Sequence, residues 1–98
     1  MKIQISREKE ITRVVFEGNI NQSCIDEVRG SLQSLAEMDG DKFVLDFENV
    51  EFIDSAGLGA LVAFRKAKNS GSIQLVNVND RIRKLLAITR SDTVFEME

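Results

Sequence analysis

The sequence predicts an α/β domain built on a mixed β-sheet. Two segments rich in β-branched residues, joined by a charged turn, open the chain. A compact apolar run, Phe43-Val44-Leu45-Asp46-Phe47, stands at its middle. Apolar residues at helical spacing lie on both sides of that run. Strands joined by a tight turn pair antiparallel, whereas a strand flanked by helices pairs parallel, so the sheet is mixed.

Ile3-Gln4-Ile5 alternates apolar and polar and reads as a short first strand. Glu8-Lys9-Glu10 is the charged turn. Ile11 to Phe16 forms the second strand of a hairpin and ends at Gly18-Asn19. Ser23 is placed to cap the first helix, with Asp26 three residues on, close to a capping box. That helix carries Ile25, Val28, Leu32, Leu35 and Ala36 on one stripe, is weakened by Gly30 by roughly 1 kcal/mol relative to Ala, and stops at Asp39-Gly40-Asp41. Phe43 to Phe47 is the buried central strand.

Ser55 begins the second helix, which runs to about Lys68 and ends at Asn69-Ser70-Gly71. It is apolar all round near its start, and Arg65, Lys66 and Lys68 complement its dipole at the other end. Ile73-Gln74-Leu75-Val76 is the fourth strand. Asn79 or Asp80 caps a last helix with Ile82, Leu85, Leu86 and Ile88 inward and Arg81, Arg83 and Lys84 outward. Thr93-Val94-Phe95 adds an edge strand. The order is ββαβαβα with that closing β, and Val44, Leu45, Leu61 and Leu75 are expected in the core.

At 98 residues the chain is read as one domain, 1–98, with 43% hydrophobic and 30% charged residues and a net charge of −3. The absence of His excludes a Ser-His-Asp triad, an imidazole metal ligand and a histidine pH switch. A single cysteine, Cys24, excludes an internal disulfide and a Cys-rich metal site, and reads as a small buried residue. The acidic balance, with six Phe and no Tyr or Trp, argues against nucleic-acid binding. No apolar stretch has the length of a membrane span or of a signal-peptide core. A cytoplasmic protein whose partner is another protein is expected, with no cofactor or metal.

The chemistry concentrates in Phe52-Ile53-Asp54-Ser55-Ala56-Gly57-Leu58-Gly59. A helix N-terminus exposes free N–H groups and favours anions, and Gly57 and Gly59 leave its first turn with little bulk. Two readings stay open. Ser55 is an N-cap over glycines packed on a neighbouring strand, the reading residue chemistry favours, or it carries a phosphate. Gly57-Leu58-Gly59 lacks the third glycine of a dinucleotide fingerprint, where Val62 stands. Ile53-Asp54-Ser55-Ala56-Gly57 lacks the first glycine and the base of a nucleophile elbow. Asn21-Gln22-Ser23 has the form of a glycosylation acceptor and is read as fortuitous. Asp46, Glu48, Glu51 and Asp54 read as a solvated acidic loop rather than a cation site.

Asp54-Ser55-Ala56-Gly57-Leu58-Gly59 resembles, without a gap, the D-S-x-G-L-G phosphorylation motif of the STAS domain family, in its free-standing anti-sigma factor antagonist type. The resemblance extends from the Phe43 to Phe47 strand through Ile73-Gln74-Leu75-Val76 to the closing Arg83-Lys84-Leu85-Leu86 to Phe95 pattern. It implies helices mainly on one face of the sheet and a chain that is a monomer when free. It also implies binding, in the unphosphorylated form, to an anti-sigma factor that is itself a serine kinase. Phosphorylation of the motif serine breaks that complex and a PP2C-type phosphatase restores it. Ser55 is then the phosphoacceptor and Asp54 positions it. Ala56, Gly57, Leu58 and Gly59 belong to the docking surface, together with Asn21, which stands where the family often has Asp. The alternative is a STAS adaptor in a larger assembly, such as a lipid-transport ATPase complex or a stress-signalling scaffold, without a phosphorylation switch. Neither reading makes the chain an enzyme.

Overall fold

The computed structural model describes residues 1–37, 42–67, 72–91 and 95–97. Its elements are β1 (Lys2–Glu8), β2 (Ile11–Glu17), a 3-10 turn (Gln22–Cys24), α1 (Ile25–Ala36), β3 (Lys42–Asn49), α2 (Ser55–Ala67), β4 (Ser72–Val76), α3 (Asp80–Ile88) and β5 (Glu96–Met97). The strands form one sheet in the order β1-β2-β3-β4-β5. β1 and β2 are antiparallel and the remaining pairs parallel, the mixed sheet expected, with β3 at its centre.

Each parallel crossover advances one strand in the same direction. Right-handed crossovers therefore place α1, α2 and α3 on the same face. The side chains agree. Val14 and Phe16 of β2, Phe43, Leu45 and Phe47 of β3, and Ile73 and Leu75 of β4 share that face by register, and they join one buried cluster with the apolar stripes of all three helices. Phe16 stacks on Phe47 with ring centroids 5.5 Å apart, and Phe43 meets Phe64 of α2 edge-on at 5.7 Å. Val44, Leu45, Leu61 and Leu75 are all buried. Thr12 is the polar exception on this face: its hydroxyl is fully buried with no hydrogen-bond partner among the described residues.

Several expectations at element ends are corrected. β1 is seven residues long rather than three, because the antiparallel ladder with β2 carries Ser6, Arg7 and Glu8 whether or not their side chains are buried. Ser23 does not cap α1. The N-cap position of α1 is Cys24, with no side-chain capping bond, and Asn21 caps the 3-10 turn before it, in extended backbone, where its Oδ1 accepts the Ser23 N–H at 3.0 Å and the Ser23 hydroxyl. Asn is as effective a cap as Ser and occupies the right backbone geometry. Cys24 is half-buried rather than buried, and its thiol faces the Asn19 carbonyl at 3.3 Å. Ile88 is 79% exposed rather than inward. It lies two residues beyond buried Leu86, about 200° round the helix. Asn79, not Asp80, caps α3. The closing strand is Glu96–Met97, after Phe95; Thr93 and Val94 lie outside the described residues, as do Asp39-Gly40-Asp41, Lys68 and Asn69-Ser70-Gly71.

Asp46 is no part of a solvated loop. The register between β2 and β3 slips after Val15–Asp46, so that Phe47 and Glu48 face Phe16 alone. Such a bulge frees a backbone N–H, and Asp46 Oδ1 accepts it from Glu48 at 3.0 Å. The same oxygen accepts from Asn77 Nδ2 at 3.0 Å, and Oδ2 accepts from Arg13 at 2.6 Å. Burial alone would push this carboxyl up. The Asn77 amide, the Glu48 N–H and the Arg13 guanidinium together outweigh burial and hold it below the usual carboxylate range.

Candidate functional site

The loops that leave the C-terminal ends of β2, β3 and β4 meet at one end of the sheet, the place where open α/β sheets carry their sites. Gly18, at φ +110°, turns the chain out of β2 in backbone that a side chain rarely adopts. Its N–H donates to the Asn49 carbonyl at 3.1 Å. Asn19 then clamps the next loop: its Oδ1 accepts the N–H groups of Glu51 and Phe52, both at 3.1 Å. Ile20 forms an isolated parallel bridge to Ile53, with Ile20 N–H donating to the Phe52 carbonyl at 3.2 Å and Asp54 N–H to the Ile20 carbonyl at 3.1 Å. The strand pairing of β2 and β3 is thereby resumed beyond the strands themselves.

Asp54 completes the joint. Its Oδ1 accepts the Gly57 N–H at 2.9 Å, closing the first turn of α2, and its Oδ2 accepts the Gln22 N–H at 3.0 Å, tying in the 3-10 turn. One carboxylate thus caps α2 and anchors the β2–α1 loop. This corrects the expectation that Ser55 is the N-cap: Asp54 caps, and Ser55 is the first helical residue. Ser55 is exposed, and its hydroxyl makes no hydrogen bond among the described residues. The N–H groups of Ser55 and Ala56 likewise have no acceptor there.

The two glycines have different surroundings. A Cβ on Gly57 would lie 2.7 Å from the Ile20 carbonyl oxygen and 2.8 Å from its side chain, so Gly57 lets the helix start press against the bridge. A Cβ on Gly59 would meet nothing within 4 Å. Ser55, Gly59 and Ala63 follow at four-residue spacing on the exposed side of α2, a flat strip with little side-chain bulk. Ala56 is half-buried and Leu58 is buried in the core. Asp54, Ser55 and Gly57 are thus brought together with Gln22. Asn21 is in the same loop, but its amide oxygen is occupied by Ser23.

Sequence reasoning missed the loop clamps made by two positions, although it offers Asn79 as a cap of α3. Asn19 holds the loop as above. Asn79 donates from Nδ2 to the carbonyls of Val50 at 3.2 Å and Glu51 at 3.0 Å, while its Oδ1 accepts the Ile82 N–H at 2.9 Å. It locks the β3–α2 loop to the start of α3. The available signal was an Asn following a strand, which marks a turn but not its distant partner.

The arrangement has little catalytic chemistry. Both Asp54 oxygens face backbone N–H groups rather than the Ser55 hydroxyl, so among the described residues no base is bonded to the serine to activate it. Glu48 and Glu51 are exposed while Asp46 is buried in its own cluster, and among the described residues no group of carboxylates and thiol is placed to hold a metal ion. No helix there is long and apolar enough to cross a membrane.

This geometry has known relatives. The anti-sigma-B factor antagonist of Staphylococcus aureus is 26% identical over 91 residues, covering 91% of this chain and 84% of that protein. The fold superposes with a TM-score of 0.88 on a crystal structure of a putative anti-sigma factor antagonist from Thermotoga maritima, at 20% identity, covering 97% of this chain and 84% of that one. It also superposes on the anti-sigma factor antagonist SpoIIAA in its unphosphorylated form, with a TM-score of 0.76 at 17% identity, covering 99% and 87% of the two chains. Residues 2–98 match the STAS domain, and with the whole of the described sheet and the Ser55 loop inside that match, the chain belongs to the STAS domain family.

Proposed function

We propose that this protein is an anti-sigma factor antagonist whose partner binding is switched off by a phosphate on Ser55. In this reading the unmodified protein binds an anti-sigma factor that is also a serine kinase, frees a sigma factor, and so regulates transcription indirectly in the cytoplasm. The kinase then phosphorylates Ser55 and a PP2C-type phosphatase restores it. The protein acts by binding, with no turnover of its own. The carrying observation is that Ser55 has no structural duty among the described residues: Asp54 caps the helix, and the serine hydroxyl stands exposed on a flat strip with no hydrogen bond to any of them. SpoIIAA, whose fold this chain shares, exists in unphosphorylated and phosphorylated forms. The present fold superposes on both, at TM-scores of 0.76 and 0.75, and is compatible with either form.

The mechanism follows from charge. A phosphate at a helix N-terminus is locally favoured by the dipole and the free N–H groups, so the domain itself has little reason to rearrange. It adds roughly −1.5 to −2 charges. A partner surface complementary to a neutral hydroxyl must then bury an unpaired dianion, at a cost on the order of 2–5 kcal/mol, or about 30- to several-thousand-fold in affinity. Ser55→Asp should reproduce part of that loss and Ser55→Ala should bind constitutively. The test is isothermal titration of both variants and the unmodified protein against the anti-sigma factor kinase of the same cell, with mass spectrometry of the native protein for phosphate on Ser55. Equal affinities for Ser55→Asp and the unmodified protein would reject the switch.

A further inference from the structure

A second surface lies beside the Ser55 loop. Phe52 and Ile53 on one side, and Leu85 and Ile88 of α3 on the other, line a cleft of about 270 Å³. Phe52 is 41% exposed and Ile88 is 79% exposed, so two large apolar side chains stand in water at its mouth. Ile82, Arg81 and Lys84 complete the lining, and neither cation has a salt bridge among the described residues. Among the described residues no carboxylate lines the cleft, although the chain as a whole is acidic at −3. Apolar walls with cations on the rim are complementary to an apolar anchor flanked by carboxylates.

We propose that this cleft docks an acidic protein segment that inserts one large apolar side chain between Phe52 and Ile88 and places Asp or Glu against Arg81 and Lys84. Two other occupants fit less well. A second copy joined through this face would set Arg81 and Lys84 against their own symmetry mates. A bilayer offers a broad plane rather than a side chain to fill a concavity. The site needs neither kinase nor sigma-factor machinery, so its test is independent of the Ser55 reading.

The probe is a synthetic amphipathic peptide of Leu and Phe at helical spacing with Glu between them, compared with its Lys-for-Glu counterpart. Each is titrated into the labelled protein and followed by amide and methyl NMR. The Glu peptide should perturb Phe52, Leu85 and Ile88, and should bind about tenfold tighter than the Lys peptide, the scale of two exposed charge pairs. The Arg81→Glu/Lys84→Glu variant should reverse that preference, and Ile88→Ser should weaken the Glu peptide by about tenfold or more. All three residues are at the surface, and each variant's spectrum reports its folding independently. Equal binding of the two peptides, or perturbations centred elsewhere, overturns the proposal. So does a concentration-dependent dimer in sedimentation that Ile88→Ser abolishes, or flotation with phosphatidylglycerol vesicles that the double charge variant abolishes.

Discussion

Asp46 and Asp54 close the two ends of one short acidic stretch, and they are held in opposite ways. Asp46 lies buried on the face of the sheet away from the helices and is answered by Asn77, Arg13 and the N–H freed by the β3 bulge. Asp54 lies half-exposed at the loop end and, among the described residues, is answered only by backbone, from Gly57 and Gln22. The first carboxylate stitches β2 and β3 to the residue that follows β4 and leaves nothing for a partner. The second builds a helix N-terminus and leaves its serine free. A surface switch requires the second arrangement: the side chain to be modified must be one the fold does not use.

The largest effect that separates the two regions is expected from Asp46→Ala. It removes the buried acceptor of two part-buried bonds, from the Asn77 amide and the Glu48 N–H, and bonds to a charged group are worth about 1.5–3 kcal/mol, read by denaturant titration. Arg13 is about half exposed and rehydrates, so its loss contributes little. The same carboxylate sets a pH dependence. Its folded pKa is depressed, so its contribution is complete above the unfolded value near 3.9 and disappears as the pH falls through the lower folded value. Asp46→Ala should therefore lose less stability than the parent on acidification below about pH 4. A parallel loss in both proteins would show that Asp46 is not tuned as described.

Gly57→Ala tests the joint at the loop end. Its Cβ would press on the Ile20 backbone, and overpacking of this kind costs about 1–3 kcal/mol. Gly59→Ala in the same helix meets open space and should stabilise by up to about 1 kcal/mol. The opposite signs of the pair, read from thermal midpoints, are the informative result; two equal shifts would mean that the Ile20–Ile53 bridge yields to the helix. Between those extremes, Asp54→Ala should cost about 1 kcal/mol, the usual worth of an N-cap. It should also broaden the amide signals of Gln22 and Gly57 together, since one carboxylate holds both.

Strand and helix order was legible because each element announces itself locally. Phe43 to Phe47 is apolar enough to be recognised as a central strand, and Ser55 to Ala67 as a packed helix. What was hidden depends on partners far along the chain. The role of Asp46 needs Arg13 and Asn77, and that of Asn19 needs the amides of Glu51 and Phe52. The capping of α2 by Asp54 is local, but Ser at the neighbouring position is an equally good cap by propensity. Only the packing of the loop on Ile20 decides between them. Ile88 was misplaced because its apolar character suggests burial, while the helical angle from Leu86 turns it outward.

The central claim is that Ser55 lies on the fold without supporting it. The direct measurement is a comparison of backbone amide shifts between the unmodified protein and the protein carrying phosphoserine at position 55. Changes should be confined to the Gln22 turn, the 52–54 loop and the first turn of α2, with the amides of β1, β4 and α3 unmoved. Shift changes spreading through the sheet into α3 would contradict the claim and make the switch a rearrangement of the domain.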